Sequence, residues 1–325
     1  MDYKEILSKI SDILGEELDR YLSGDKEPYM YKLMRDEQFG DVDEHQVSRK
    51  RLVYALQFGL REIGEPLREQ IVRELFEQEV ISREKNSFQG IGSSMEMLTD
   101  MIQPYRRPED NALLERAKDA NFDCFCGLMK DGGYGYPKDI YEYNLEAGIY
   151  MAGEMQLREQ VCALVDIFKA GRLDTSGYEK LRHFAEFTQR PDDRETAVLG
   201  YYDCVFKSPA SGKIMEMRGL TAAKHMILLL CDMNDAANAE ELLYKHTDVL
   251  LSANGRAFYE CAIKIMQTDS SRKKKIWRYV KKNSKLKAKD GTFYPICYTD
   301  YKKCAELAGD KIAVLAISAL EKKEQ

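Results

Sequence analysis

YKEILSKISDILGEEL, residues 3 to 18, decides the fold class. Tyr3, Ile6, Leu7, Ile10, Ile13, Leu14 and Leu18 recur at i, i+3, i+4 and i+7, the spacing of a helix with one buried face. The same period returns almost everywhere downstream. No segment alternates with period two for long enough to predict a sheet, so the chain reads as all-α.

Helix starts and turns organise the pattern. A short acceptor side chain followed three residues later by Glu marks a capping box, in which the first side chain accepts the backbone N–H three residues on and the Glu reaches back. Such pairs are Asp41/Glu44, Ser93/Glu96, Asp139/Glu142, Ser176/Glu179, Asp192/Glu195 and Asn238/Glu241. One set of turns is tight: Ser23-Gly24-Asp25, Gly64-Glu65, Pro104 to Pro108, Gly153-Glu154, Pro191-Asp192, Asn234-Asp235, Thr268 to Ser271 and Gly309-Asp310. Its members lie about 35 to 47 residues apart, the period range of helical-hairpin repeats. Between them fall mostly longer, glycine-rich segments: Phe39-Gly40-Asp41, Asn86 to Gly92, Lys130 to Pro137, Gly171 to Gly177, Ser208 to Gly212, Ala253-Asn254-Gly255 and Asp290 to Pro295.

This arrangement predicts about sixteen helices in about eight antiparallel hairpins. Stacked hairpins bury their apolar faces on their neighbours and form a quasi-one-dimensional core. In Ala55 to Leu75 a small residue precedes a Gly-acidic turn and a second amphipathic helix, as it does in Ala147 to Lys169 and Cys304 to Leu320. These short stretches resemble the tetratricopeptide-like α-solenoid superfamily, although its Trp and Pro positions are absent and the period here exceeds 34. The resemblance implies a right-handed superhelix over 1–325. The alternative is an irregular helical domain without true repeats, and a subdivision into 1–128 and 138–325 would fall at the glycine-rich 129–137 loop.

A chain of 325 residues can bury a continuous core, and 44% hydrophobic with 32% charged residues fits a folded chain. The first residues lack the charged, apolar, small order of a secretory signal, and the longest apolar run, Met226 to Cys231, is too short to cross a bilayer. A soluble, cytoplasmic protein with no membrane contact is therefore expected. Eight cysteines are too sparse for a disulfide scaffold, and Cys162, Cys231 and Cys261 sit beside apolar residues as small buried hydrophobes do.

The sharpest chemical feature is RKKKIWRYVKKNSKLKAK, Arg272 to Lys289, which carries Lys or Arg at ten positions and no acid. The remaining 39 basic residues face 55 acidic ones, so a basic helix of +10 sits on a body of about −16. Ile276, Tyr279, Val280 and Leu286 form its buried stripe. Lys274, Arg278, Lys281, Lys282 and Lys285 then project outward, with Trp277 near the boundary. Three readings follow. The cations pair with acidic helices of the same chain, dock an acidic protein or peptide, or grip a phosphate backbone while the indole stacks on a base.

Phe122-Asp123-Cys124-Phe125-Cys126-Gly127 precedes a second glycine-rich segment, Gly132 to Pro137. Two thiols one residue apart supply half of a tetrahedral metal site, but no further ligand lies at finger-like spacing. Cys204, Cys297 and Cys304 are distant candidates, so no cofactor is expected. A helix end feeding a long binding loop explains the segment more simply. His45, His183, His225 and His246 form no HExxH pair. No Ser stands in a GxSxG elbow, and Gly90 to Gly92 lacks the strand and Lys-Ser/Thr of a phosphate cradle. Glu142, Glu146 and Glu154 share a helical face without the Glu-x-x-His of a di-iron bundle. Tyr134, Tyr136, Tyr141, Tyr143 and Tyr150 cluster around the central loop, as in a peptide-binding groove or where hairpins pack with one end wet.

These features lead to a non-enzymatic protein- or peptide-binding scaffold. Lys274, Trp277, Arg278, Lys281, Lys285, Tyr134, Tyr136 and Tyr141 are its candidate binding residues. A nucleic-acid adaptor using helix 272–289 is a second expectation, and a helical enzyme with its site near 122–137 is a third. The step from solenoid to binding is by analogy of fold.

Overall fold

A computed structural model describes residues 2–87, 90–207, 213–252, 255–289 and 297–324, with backbone alone at 213–216, 285–289 and 320–324. Among the described residues the chain is all-α apart from one short β-hairpin, and it divides into two compact units, Met1–Gly171 and Arg172–Gln325. The 129–137 loop lies inside the first of these. Among the described residues no helix is long and apolar enough to cross a membrane.

In the first unit α1 (Tyr3–Leu22) packs on α2 (Gln46–Gln57), and α3 (Glu65–Lys85) packs on α4 (Ser93–Ile102). Then come α5 (Asp110–Asp119), α6 (Phe122–Gly127), α7 (Leu145–Glu154) and α8 (Arg158–Ala170), the last returning against α1. The opening stripe packs as its spacing predicts: Ile6, Leu7, Ile10, Leu14 and Leu18 are almost fully buried. Burying five such side chains stabilises the unit by roughly 10 kcal/mol before chain entropy is charged against it.

The Phe39-Gly40-Asp41 turn joins strands rather than helices. β1 (Leu33–Asp36) pairs antiparallel with β2 (Gly40–Asp43), Leu33 opposite Asp43 and Asp36 opposite Gly40. The Asp36 carboxylate accepts the N–H groups of Gln38 and Phe39, both at 2.8 Å, and Gly40 takes φ +79° to close the turn. Asp41 is therefore a strand residue and not a helix cap. Strands of four residues are too short to leave a legible alternation.

The hairpin is held by buried charge. Arg49 of α2, with no exposed surface, bonds Asp43 of β2 and, at 2.8 Å, Glu79 of α3, and Arg83 reaches the second Glu79 oxygen at 3.1 Å. Burial pushes the Glu79 carboxyl up, but the two guanidiniums outweigh it and hold the group below the usual range.

The second unit contains α9 (Thr175–Thr188), α10 (Pro191–Lys207), α11 (Lys213–Asp232), α12 (Ala236–Lys245) and the short α13 (Thr247–Leu251). α14 (Arg256–Thr268), α15 (Lys273–Lys289), α16 (Cys297–Ala308) and α17 (Lys311–Glu324) follow. Each long helix packs on the next, and α14 also packs on α11 and α16. The turns at Pro191, Asn234, Thr268 to Ser271 and Gly309 fall at these junctions. Those at Ser208 to Gly212, Ala253-Asn254 and Asp290 to Pro295 lie outside the described residues.

Asp139 caps a 3-10 turn through Tyr141 N–H at 2.9 Å, but other helix starts differ from the expected capping boxes by up to three residues. Asp174 caps α9 through Gly177 N–H at 2.8 Å and Asp235 caps α12 through Asn238 N–H at 3.2 Å, while Ser93 is the first residue of α4 after Gly92. A single short acceptor suffices at the N-cap, so the Glu three residues on is not diagnostic.

Candidate functional site

α15 starts at Lys273, after a 3-10 turn that Asp269 caps through Ser271 N–H at 2.9 Å. Ile276 and Val280 are fully buried against Phe258, Ile265 and Cys304, and Tyr279 is partly buried. Trp277 is not at the boundary. It is only 4% exposed and its indole N–H donates to Asp310 Oδ2 at 2.8 Å. The ring therefore offers no free face to a nucleic-acid base.

The cations of α15 divide into two groups. Arg272, just before the helix, and Lys275 both pair with Glu240 of α12, and Arg272 also meets Asp269 at 2.9 Å. Lys281 meets Asp310 at 3.1 Å and lies 5.3 Å from the Trp277 ring centre. These three pair with acidic neighbours of the same chain. Lys274, Arg278 and Lys282 are exposed, stand at i, i+4 and i+8, and have no ion-pair partner among the described residues. The Lys285 side chain lies outside the described residues.

The carboxylates that neutralise the paired group are depressed in consequence. Asp310 is held down to about 2, first by the Trp277 indole, then by Ala313 N–H and Lys281. Glu240 is pushed up by burial, and Lys275, Tyr244 and Arg272 together bring it below the usual range.

In the first unit, the loop after α6 is shaped by its glycines and by Asp100 of α4. Asp100 Oδ1 accepts Gly133 N–H at 2.6 Å and Tyr134 N–H at 3.4 Å. A Cβ on Gly132, at φ +73°, would come within 2.5 Å of the same oxygen. The Tyr134 hydroxyl accepts Met129 N–H at 2.6 Å, and the Tyr136 hydroxyl donates to Glu96 of α4. Both phenols are raised, Tyr134 by burial and Tyr136 by burial and Glu96. Gln57 of α2 donates to the carbonyls of Tyr136 and Pro137 at 3.0 and 3.1 Å. Tyr134 and Tyr136 thus use their hydroxyls to fix the loop, whereas Tyr141 is half exposed.

Against this loop lie two adjoining concavities of about 770 and 520 Å³, which share Gln57, Arg68 and Lys138. Neither has a trace in the sequence, because Arg68 and Lys138 are isolated cations in ordinary polar surroundings.

The two thiols of the Cys-x-Cys pair diverge. Cys124 is buried with its Sγ 3.8 Å from the Gly90 carbonyl, and burial pushes its thiol up, while Cys126 is exposed. Cys231, Cys261, Cys297 and Cys304 are buried in the second unit, and Cys162 and Cys204 are intermediate. No group of three or more His, Cys, Asp or Glu side chains is placed to hold a metal among the described residues. His225 is lowered to about 4, by burial first and then by Arg182, Lys224, Arg194 and His183. His246 is buried with its Nε2 2.7 Å from the Tyr202 hydroxyl.

No family model, curated protein or solved structure matches the chain.

Proposed function

We propose that the protein is a non-enzymatic helical-repeat scaffold that docks an acidic segment of a partner protein on the Lys274, Arg278 and Lys282 face of α15. One observation carries this reading: three successive turns of one helix present cations with no ion-pair partner among the described residues, while the flanking Arg272, Lys275 and Lys281 are neutralised within the chain. A chain with a surplus of carboxylates that leaves one face uncompensated has a surface suited to an acidic partner, which charge complementarity steers and orients. The packing of α9 through α17 on successive neighbours supports a hairpin repeat of the tetratricopeptide kind in the second unit. A phosphate backbone would meet the same cations, but burial of Trp277 removes the stacking platform and favours the protein partner.

The test is fluorescence anisotropy with a labelled oligoglutamate peptide and, separately, a labelled oligothymidylate. The peptide should bind, and the triple variant Lys274→Glu, Arg278→Glu, Lys282→Glu should weaken it by at least about tenfold with an unchanged helical spectrum. Tighter binding of the oligothymidylate, falling steeply with salt, would reassign the face to nucleic acid. Binding of neither probe at low salt would remove the proposal.

A further inference from the structure

The smaller concavity of the first unit is walled by three kinds of group. Tyr105, Pro104, Met101 and the ring of Tyr136 supply apolar surface, and Gln57 fixes the loop that closes one side. Arg68 and Lys138 supply charge. A volume of about 520 Å³ lies in the range of small-molecule sites, which pair mostly apolar walls with a few convergent polar groups.

The charge balance inside it is unequal. Arg68 gives one N–H to the Leu56 carbonyl at 2.9 Å and also bonds the Tyr105 hydroxyl, and neither Arg68 nor Lys138 has an ion-pair partner among the described residues. Asp100 is the one carboxylate in the lining, and its Oδ1 is engaged by the N–H groups of Gly133 and Tyr134. Glu65, at the rim of the neighbouring concavity, accepts the Tyr105 hydroxyl. Two cations therefore face one carboxylate that is already bonded, which leaves one positive charge in excess. The loop wall is pre-shaped, because Gly132, Gly133 and Gly135 all take positive φ and Asp100 straps the loop to α4.

We infer that this cleft is a binding site for a small organic anion, its carboxylate or phosphate group held by Arg68 and Lys138 and its apolar body packed against Tyr105, Tyr136 and Met101. The guanidinium of Arg68 suits either group, since its N–H fork matches paired oxygens, and Lys138 adds a movable point charge. The site is independent of the α15 face and stands or falls separately from it.

Isothermal titration of the full chain with phenylacetate, phenyl phosphate and the neutral phenylacetamide tests the site. At least one anion should bind saturably while phenylacetamide does not, and the tighter of the two identifies the group as carboxylate or phosphate. Lys138→Gln, which disturbs no hydrogen bond described above, should weaken that anion by about tenfold, and adding Arg68→Gln should abolish binding. Asp100→Asn keeps the oxygen that accepts Gly133 N–H but removes the opposing charge, so it should bind the anion more tightly than the wild type. A merely structural role would not produce that gain. Lys274→Glu on α15 should change nothing. The inference is overturned if neither anion binds, if phenylacetamide binds as tightly as phenylacetate, if Lys138→Gln binds like the wild type, or if Asp100→Asn weakens the anion.

Discussion

In the first unit Asp43, Arg49, Glu79 and Arg83 are packed together with almost no exposed surface. In the second, the space beneath α15 is filled by Phe258, Ile265, Ile276, Val280 and Cys304, and Lys274, Arg278 and Lys282 of that helix stand outside. The first unit must hold a two-stranded hairpin that has no apolar face of its own: Leu33, Met34 and Phe39 are all exposed. Isolated hairpins of this length are marginal. Directional ion pairs fix its position where apolar packing cannot. The second unit is built from helices with apolar stripes, and its ion pairs to Glu240 and Asp310 accompany an apolar core instead of replacing one. Charge is packed into the interior of one unit, whereas in the other Lys274, Arg278 and Lys282 stay exposed with no ion-pair partner among the described residues.

The contrast can be broken most sharply at Arg49. Arg49→Ala strands the Asp43 and Glu79 carboxylates in the interior and should cost about 3–5 kcal/mol, because removing one member of a buried pair exposes the full desolvation penalty of the rest. Urea unfolding followed by hydrogen exchange over residues 33–85 should show the loss. Emission of Trp277, the one tryptophan of the chain, should report an unmoved transition in the second unit. A shift of equal size there would mean that the units do not unfold separately.

Ile276→Ala should produce the reverse pattern. A large-to-small change in a closed core costs about 3 kcal/mol, and here the Trp277 transition moves while exchange in the hairpin stays as it was.

Acid separates the units more gently. His225 is depressed to about 4, so it folds neutral and its contribution is present above the unfolded value near 6.5 and lost as pH falls toward 4. Glu79 is also depressed, so its contribution is complete above the ordinary carboxylate value of 4.5 and lost only below it. The second unit should weaken first on acidification, read as a falling Trp277 midpoint between pH 6.5 and 4. His225→Gln should flatten that slope. An unchanged slope would place the pH dependence elsewhere.

The smallest effects are expected on α15 itself. Lys274→Ala and Arg278→Ala should each change the unfolding free energy by no more than about 0.5 kcal/mol. A larger loss by either in chemical denaturation would show that the free face is structural after all.

Helical class, the described junction turns and the outward Lys274, Arg278 and Lys282 are legible because each depends on local spacing, whereas Lys281, expected to project outward, pairs with Asp310. Ile6, Leu7 and Ile10 announce their buried face by period alone. The β-hairpin was not legible, since four residues per strand carry too little alternation and Gly40 looks like any turn glycine. The buried cluster left a readable trace. Arg49 shares the face of Leu52, Val53 and Leu56, and Glu79 falls between Phe76, Val80 and Arg83. A charge on an apolar stripe signals a paired interior ion. The spacing alone puts Trp277 near the boundary because its partner, Asp310, is 33 residues away, beyond α16, which packs on α15. The cleft around Arg68 and Lys138 has no local sequence pattern, being assembled from α2, α3, α4 and a loop.

The unpaired face of α15 also governs how the molecule behaves in bulk. A formal charge of −6 predicts a simple acidic solute. Yet a column bearing sulfonate groups can hold the protein by Lys274, Arg278 and Lys282, and one bearing quaternary amines can hold it by its acidic body. Copies can also attract one another, basic face to acidic surface, when ionic strength falls low enough for the Debye length to exceed about 10 Å. Turbidity that appears on desalting and clears with added salt would be the macroscopic sign of three side chains left without partners.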